Sequence, residues 1–423
     1  MYLIYWKWKV GSAVASLCNL QGISYEMCDD AHQPLSFASY EVIIPSPGIS
    51  SSHPIYKTGK VMSELDFAYQ FLPKDFQIVS VTGTDGKSTT AWIMYNILDK
   101  EFSVKKSVYL SGNFEIPFSA TVSEILKKWE KRWIIVVEIS SFMSYAIKHY
   151  QSDYSIFTNL KPDHLNWHKD LQEYLDAKMN LIHRTSKVPI VNKQIIDFVW
   201  ENNLNIQIWE NVRIFGSDYS LKDSTDGENI KISGRRRYLL SETMFSWPHN
   251  AMNILSCVIV ANELKICSKR IKKYLKDIKG LPHRLEIVWK KRGILLVEDS
   301  KSTSSQSLDA ALGSFWNTKN LLLIVGWSDK WDTFVHLSPL FISRVKALVC
   351  IGATKKLFID IAKNGDIPYL STDNLLEWVQ WLYSQGKNDD VLIISPGCAS
   401  FWLFRDYLDR ANQFRDAIEK LPE

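Results

Sequence analysis

The segment from residue 77 to residue 90 reads QIVSVTGTDGKSTT, and it decides the fold of the middle of the chain. Its first five residues predict a strand, and the stretch from Gly83 to Gly86 predicts a glycine-rich turn that opens a helix. Such a turn points successive backbone N–H groups and a helix N-terminus at one spot, which suits a polyphosphate. Lys87 would neutralise the β- and γ-phosphates, and Ser88 would offer its hydroxyl to Mg²⁺.

The strict phosphate-loop pattern GxxxxGK[ST] is incomplete, because Val81 stands where its first glycine belongs. A shorter form, Gly-Thr-x-Gly-Lys-Ser-Thr, remains. The alternative is a glycine-rich turn that binds nothing, and the preceding strand, the following helix and Lys87 argue against it. The motif therefore indicates nucleotide binding and leaves the reaction open.

Outward from this segment, short apolar runs alternate with longer amphipathic stretches, a pattern typical of parallel sheets with crossover helices. The fold class is therefore α/β, with boundaries predicted near Pro73 and at Gly280-Leu281-Pro282. These boundaries give three domains, residues 1–74, 75–281 and 282–423. Strands are predicted at residues 2–5, 41–44, 77–81, 133–137, 154–158, 294–297, 321–325, 347–351 and 391–394, and a helix at 249–264. Residues 190–245 are more polar and irregular.

The composition excludes several classes of protein. The chain has 423 residues, 46% of them hydrophobic and 23% charged, as in ordinary globular proteins, and its net charge is +4. The basic residues are scattered, with Arg235-Arg236-Arg237 as the densest cluster, and no nucleic-acid-binding module is visible. No apolar run is long enough to span a membrane, and Val10–Leu17 is too weakly apolar for a signal peptide. Six cysteines without CxxC pairing indicate a reducing compartment, the cytoplasm.

Further motifs occur before and after the phosphate loop in a fixed order. They are Ser46-Pro47-Gly48-Ile49 before it and, after it, Ser111-Gly112-Asn113, Glu138-Ile139-Ser140-Ser141-Phe142, Asn159-Leu160, Asp163-His164-Leu165, Tyr174-x-x-Ala177-Lys178, His249-Asn250-x-x-Asn253, His283-Arg284-x-Glu286, Asp299-Ser300-Lys301-Ser302-Thr303 and Ser395-Pro396-Gly397-Cys398-Ala399-Ser400. Each motif alone is weak, but the ordered set closely resembles the Mur ligase family. The Glu-Ile-Ser-Ser-Phe segment is similar to the form typical of the D-glutamate-adding member.

The resemblance implies a fold, a reaction and partners. The fold would be a Rossmann-like UDP-binding N-terminal domain, a central P-loop ATPase domain with a mostly parallel sheet, and a Rossmann-like C-terminal domain. ATP would convert the carboxylate of UDP-N-acetylmuramoyl-L-alanine into an acyl phosphate, which the amino group of D-glutamate then attacks. Because carboxylate and γ-phosphate are both anionic, cations including Mg²⁺ are needed between them. The enzyme is expected to act as a monomer in peptidoglycan precursor synthesis.

The resemblance also assigns roles to residues of this sequence. The nucleotide site would comprise Gly83, Thr84, Asp85, Gly86, Lys87, Ser88, Thr89, Asn250, Asn253, Arg284 and Asp299. The catalytic residues would be Lys87, Glu138, His164, Lys178 and Lys301, and the metal ligands Ser88, Glu138, His164 and Lys178. The substrates would contact Asn113, Ser140, Thr303, Lys330 and Ser400. Within these sets, Arg284 would meet the γ-phosphate, Asp299 the ribose, and Lys178 would be carbamylated.

Each of these residues also has a purely structural interpretation. Glu138 alone would be read as a strand-end carboxylate in a salt bridge, and His164 as a capping or packed histidine. Lys178 would be an exposed helix lysine, and Lys330 and Ser400 ordinary loop residues.

The sequence departs from the family pattern at several positions. Asp85 replaces the usual asparagine, and a carboxylate beside polyphosphate is repulsive unless a metal or a lysine compensates it. Met143 replaces a glutamine, Trp327 stands where a glycine is common, and Trp247 and the Trp6-Lys7-Trp8-Lys9 run are also unusual. Two alternatives therefore stay open: another Mur-type or folylpolyglutamate-type ligase, or a catalytically weak nucleotide-binding scaffold of wall synthesis.

Overall fold

A computed structural model describes most of the chain, which divides into two compact units, Met1–Ile278 and Lys279–Glu423. The described residues are 1–5, 9–29, 31–32, 34, 36–73, 75–129, 132–165, 167–208, 210–234, 236–243, 250–314, 319–327, 334–372, 374–398 and 403–422. Among them, no helix combines the length and the apolar character needed to cross a lipid bilayer.

The first unit begins with a small parallel sheet of strand order β2-β1-β3. Its elements are β1 (Tyr2–Tyr5), α1 (Lys9–Gln21), β2 (Tyr25–Cys28), β3 (Val42–Pro45), a 3-10 helix (Pro54–Thr58) and α2 (Glu64–Tyr69). Side chains alternate across β1: Leu3 and Tyr5 enter one apolar cluster, and Ile4 enters another that also contains the central sheet. The N-terminal sheet is thereby joined to the central sheet through a shared core.

The central sheet has the order β5-β6-β4-β7-β8-β9, and all its strand pairs are parallel. Its elements are β4 (Phe76–Thr82), α3 (Lys87–Phe102), β5 (Ser107–Gly112), α4 (Phe118–Lys128), β6 (Trp133–Glu138), α5 (Ser141–Tyr145), β7 (Ser152–Phe157), α6 (Leu171–His183), β8 (Thr185–Asn192), α7 (Lys193–Glu201) and β9 (Arg213–Phe215). Every residue of β6 is buried, because helices cover both faces of the sheet.

The polar stretch at residues 190–245 contains more regular structure than its sequence suggests. Besides the end of β8, α7 and β9, it forms an antiparallel sheet of β10 (Ser224–Thr225), β11 (Asn229–Ile232) and β12 (Arg236–Leu239), followed by a 3-10 helix (Leu240–Glu242). The predicted helix that follows is α8 (Asn250–Glu263), and α9 (Ser268–Asp277) completes the unit. Ile254 and Val258 of α8 and Ile271 of α9 join α3 on one face of the central sheet.

The second unit is built on a sheet of order β13-β14-β18-β15-β16-β17. Its elements are β13 (Glu286–Lys291), β14 (Ile294–Glu298), α10 (Ser305–Ser314), β15 (Leu321–Trp327), a 3-10 helix (Val335–Leu337), α11 (Ser338–Arg344), β16 (Val345–Gly352), α12 (Lys355–Asn364), β17 (Tyr369–Leu370), α13 (Leu375–Gln385), β18 (Val391–Ile394) and α14 (Tyr407–Glu419). Only the β13–β14 pair of this sheet is antiparallel. The prediction of an α/β protein with mostly parallel sheets is confirmed, and the division into three domains stays a prediction.

Candidate nucleotide and metal site

The phosphate loop lies between the carboxyl end of β4 and the start of α3, as the sequence predicts. Gly83 has φ 150° and Gly86 has φ 76°. A Cβ at Gly83 would lie 1.9 Å from Thr158 Oγ1, and one at Gly86 would lie 2.5 Å from Asn253 Oδ1. Both glycines are therefore required, because the loop backbone touches neighbouring elements at these two points.

Asn159, which follows β7, fixes the loop from its other side. The Thr84 amide donates to the Asn159 carbonyl at 3.0 Å, and the Asp85 amide donates to Asn159 Oδ1 at 2.8 Å. Asn159 Nδ2 in turn donates to the Asp85 carbonyl at 3.0 Å. These bonds hold the loop in an open turn that leads into the first turn of α3, whose amides have no intrahelical acceptor. Ser88 and Thr89 lie in that first turn and are half-buried.

Two lysines contact the carbonyl side of the loop. Lys87 Nζ donates to the Thr84 carbonyl at 2.7 Å, and Lys178 Nζ donates to the Gly83 carbonyl at 2.7 Å. Lys178 is only 1% exposed, and its Nζ lies 4.5 Å from the centre of the Tyr174 ring. Burial, reinforced by the charge of Lys87, holds the pKa of Lys178 well below its usual value. The structure thus contradicts the interpretation of Lys178 as an exposed helix lysine.

Glu138 ends β6, the neighbour of β4, and is 1% exposed. Its Oε1 accepts a hydrogen bond from Asn113 Nδ2 at 2.8 Å, and its carbonyl accepts one from the Asn113 amide at 2.8 Å. Its Oε2 is buried and has no hydrogen-bond partner among the described residues. A buried carboxylate oxygen without a donor is costly, and a hard cation such as Mg²⁺ would satisfy it. The observation fits the predicted metal ligand better than a strand-end salt bridge.

His164 lies beside the phosphate loop, and its backbone is in the left-handed region with φ 56°. Its amide donates to Asp163 Oδ1 at 2.8 Å. Burial lowers the pKa of His164, the charges of Lys87 and Lys178 add to this effect, and Asp163 opposes it. A histidine held neutral in this way can offer a nitrogen lone pair to a metal ion.

A second histidine, His168, was not among the predicted site residues. Its Nε2 lies 2.9 Å from Ser141 Oγ and its Nδ1 lies 3.5 Å from Glu173. Burial lowers its pKa to about 4. The Trp167 ring contacts it at a centroid distance of 4.5 Å. The only sequence signal was its position four residues after His164 in one polar loop.

Three predicted residues have local structural contacts. Ser140 caps α5 and accepts from the Met143 amide at 3.3 Å. Asn253 Nδ2 donates to Asn250 Oδ1 at 3.2 Å, and Asn253 Oδ1 accepts from Thr90 Oγ1 at 3.2 Å. Asn253 thus connects α8 to the first turns of α3, with Asn250 hydrogen-bonded to it, and the contact of either asparagine with adenine stays a prediction.

Three predicted residues of the second unit, Asp299, Lys301 and Thr303, follow the carboxyl end of β14. Asp299 is buried: its Oδ1 accepts from the Leu285 amide at 3.1 Å and its Oδ2 accepts from Ser395 Oγ at 2.7 Å. Burial raises the pKa of Asp299 to about 7, and Ser395 and Arg284 oppose the rise. Lys301 Nζ lies 5.6 Å from the centre of the Tyr407 ring. Thr303 is half-buried, and Lys330 and Ser400 lie outside the described residues.

The unusual Asp85 has a partner that the sequence did not reveal. Lys161 Nζ lies 2.9 Å from Asp85 Oδ2, and both side chains are about half exposed. The lysine supplies the positive charge that a carboxylate beside polyphosphate requires. The pair therefore weakens the argument that Asp85 marks an impaired loop.

A double-mutant cycle on this pair has a specific expected outcome. Lys161→Ala should raise the KM for ATP about threefold to fivefold, because it leaves Asp85 uncompensated beside the phosphates. Asp85→Asn should change turnover by less than about threefold, and the double variant should behave like Asp85→Asn alone. Steady-state rates of phosphate release, measured for the three variants over a range of ATP concentrations, give the KM and the turnover of each. A tenfold or greater gain in turnover on Asp85→Asn would show instead that the native loop is impaired.

The fold and this site define a class of protein. A parallel sheet carries a glycine-rich phosphate loop after β4 and a buried carboxylate at the end of the adjacent strand β6. This is the arrangement of a P-loop nucleotide-binding α/β protein.

Comparison with known proteins identifies the family. Residues 81–261 match the model of the Mur ligase middle domain. The UDP-N-acetylmuramoylalanine–D-glutamate ligase of Aquifex aeolicus is 30% identical, over 99% of this chain and 98% of that protein. The ligase of the same name from Clostridium tetani is 29% identical, over 95% of this chain and 87% of that protein. The chain belongs to the Mur ligase family.

Solved structures agree on the fold. The crystal structure of MurF ligase from Thermotoga maritima in complex with ADP has a TM-score of 0.62 at 17% identity and covers 90% of each chain. The crystal structure of UDP-N-acetylmuramate-alanine ligase MurC from the same organism also has a TM-score of 0.62, at 15% identity, and covers 99% of this chain and 98% of that one.

Proposed function

We propose that this chain is an ATP-dependent ligase that adds D-glutamate to UDP-N-acetylmuramoyl-L-alanine, through an acyl phosphate, in peptidoglycan precursor synthesis. The observation that carries the reaction type is the buried Glu138 at the strand end next to the phosphate loop, whose Oε2 has no hydrogen-bond partner in the described part of the chain. The near-full-length similarity to D-glutamate ligases supports the choice of substrates.

The residues of the first unit would bind the phosphates of ATP and the metal ion. The amides at the start of α3 and the ammonium group of Lys87 would bind the β- and γ-phosphates. Ser88, Glu138, neutral His164 and Lys178 would hold Mg²⁺, which when bound supplies positive charge between the γ-phosphate and the substrate carboxylate. Asn113 holds the Glu138 carboxylate in one orientation through its 2.8 Å hydrogen bond.

The low pKa of Lys178 supports its proposed modification. A buried lysine is easily kept as a neutral amine, and a neutral amine is the form that adds to CO₂. Addition of the neutral amine to CO₂ with loss of one proton would give a carbamate, an anionic oxygen donor beside the loop. Because Lys178 already contacts the Gly83 carbonyl, this donor would form next to the phosphate-binding turn.

The remaining assignments complete the proposal. In the second unit, Arg284, Asp299 and Lys301 would act on ATP and the acyl phosphate, and Thr303, Lys330 and Ser400 on D-glutamate. Asn113 and Ser140 would contact the UDP-sugar. The enzyme would work in the cytoplasm as a monomer of three domains.

A substrate-dependence assay tests the function. Phosphate release from MgATP should require both UDP-N-acetylmuramoyl-L-alanine and D-glutamate, and mass spectrometry should detect the ligated product. A panel containing other muramoyl peptides, other amino acids and folate with glutamate separates the proposed reaction from its relatives. Release with a different pair would reassign the substrate. Nucleotide binding without release for any pair would indicate the scaffold alternative.

A further inference from the structure

One edge of the central sheet, where β5 and β6 begin, exposes two large apolar side chains. Val104 lies in the turn between α3 and β5 and is 97% exposed. Trp129 follows α4 with φ 53° and is 88% exposed. The chain enters β5 and β6 side by side, because Ser107 pairs with Trp133 and the Ser107 amide donates to the Arg132 carbonyl at 3.3 Å. Large apolar side chains exposed together in this way mark a candidate interaction surface.

The same two turns are rich in positive charge. Lys105, Lys127 and Arg132 are exposed, and they make no ion pair with another described residue. Lys106 and Lys128 flank the apolar pair. Lys106 Nζ donates to Gln77 Oε1 at 3.1 Å, and Lys128 pairs with Glu124 at 2.6 Å.

Helix α9 adds a second set of cations beside the end of α3, which leads into the turn that carries Val104. Arg270 pairs with Glu101 at 2.6 Å and Tyr274 donates to Glu101 at 2.9 Å, which holds α9 against the end of α3. Ile271 and Leu275 face the core. The exposed positions of α9 carry the basic residues Lys269, Arg270, Lys272, Lys273 and Lys276.

Few acidic residues offset this charge. Glu101 and Glu124 are already paired with Arg270 and Lys128, and the other exposed acids on these described elements are Asp277 at the end of α9 and Asp75 before β4. We call this surface the basic edge; it comprises Val104, Trp129 and the cations named above. Its cations come from three separate parts of the sequence, which the pairing of β5 with β6 and the packing of α9 on α3 bring to one end of the sheet.

We propose that the basic edge binds the surface of an anionic lipid bilayer, with Trp129 and Val104 inserted among the headgroups and the surrounding lysines on lipid phosphates. Charge complementarity selects an anionic partner. The tryptophan alone could stack on a base of a single strand, but the exposed aliphatic Val104 at the same end of the sheet favours a partner with an apolar layer beneath its charges, which a bilayer has. The proposal does not depend on which substrates the enzyme uses.

Vesicle co-sedimentation of the full chain tests the proposal. Vesicles of phosphatidylglycerol mixed with phosphatidylcholine should bind the protein at least about tenfold better than phosphatidylcholine alone. Binding should fall steeply in about 1 M NaCl, where the screening length is about 3 Å. The triple variant Lys105→Glu, Lys127→Glu, Lys273→Glu should bind at least about tenfold more weakly. Trp129→Gln with Val104→Ser should weaken binding about threefold to tenfold.

Matched controls separate this edge from general surface properties. Lys355→Glu, Lys356→Glu and Lys363→Glu change the net charge equally on exposed positions of α12, and Trp200→Gln removes another exposed tryptophan, 77% exposed on α7. These controls should bind vesicles like the parent, and every variant should keep the parent's melting temperature. The proposal is overturned if neutral vesicles bind equally well, or if the basic-edge variants bind like the parent. Tighter binding to a single-stranded RNA than to anionic vesicles would also overturn it.

Discussion

Replacing Glu138 by glutamine is expected to lower substrate-dependent phosphate release on the order of 10³-fold. Glutamine has nearly the same shape, and its carbonyl oxygen can still accept the hydrogen bond from Asn113. The change removes one negative charge and places an amide where the unpartnered Oε2 lies. If that oxygen is a metal ligand, the variant loses activity because it binds the cation more weakly, and its folding is unaffected.

The measurement is a Mg²⁺ titration of initial rates for the parent and the variant. The variant should need a much higher Mg²⁺ concentration, with an unchanged melting temperature in the absence of metal. Glu124→Gln is the matched control, because it removes an exposed carboxylate that is paired with Lys128. The control should keep the parent's rate. Activity of Glu138→Gln within about threefold of the parent would show that the carboxylate is a structural strand-end group, since loss of a catalytic group costs far more.

Replacing Lys178 by alanine is expected to lower the rate about 10²- to 10³-fold, the second large effect. The side chain is buried against Tyr174 and donates to the Gly83 carbonyl, so the variant loses a contact to the loop as well as the proposed carbamate. Short carboxylic acids such as formate or acetate should partly restore the activity of Lys178→Ala, because they can occupy the space and return an anionic oxygen donor.

Two further measurements distinguish the carbamate from a simple contact. The parent should lose activity in buffer depleted of CO₂ and regain it on addition of bicarbonate, whereas Lys178→Ala should respond to neither. Lys169→Ala is a control on a nearby exposed lysine, whose side chain is 81% exposed. If the parent is insensitive to CO₂ and no acid rescues the variant, Lys178 acts only as an amine that holds the loop.

Local signals in the sequence identified nine of the 18 described strands and helix α8. The strands predicted at residues 2–5 and 391–394 occur with those bounds, and those predicted at 77–81 and 133–137 are one or two residues longer. Short apolar runs that end in a glycine or polar residue identify such strands because a buried parallel strand has no solvent-facing side. Helix α7 and strands β10 to β12 were missed, because short elements in a polar stretch carry no strong periodicity.

The sequence by itself determined the phosphate loop, because a strand, two glycines, a lysine and a helix start are all contained within 14 consecutive residues. Only the tertiary structure decided that Lys178 is buried, that Lys161 pairs with Asp85 and that one oxygen of Glu138 has no hydrogen-bond partner among the described residues. It also placed the start of β5 beside the start of β6, and α9 beside the end of α3, at the basic edge. Strand order and helix packing create these neighbours, and neither is written in the local pattern, because contacts between residues far apart in the chain depend on the whole fold.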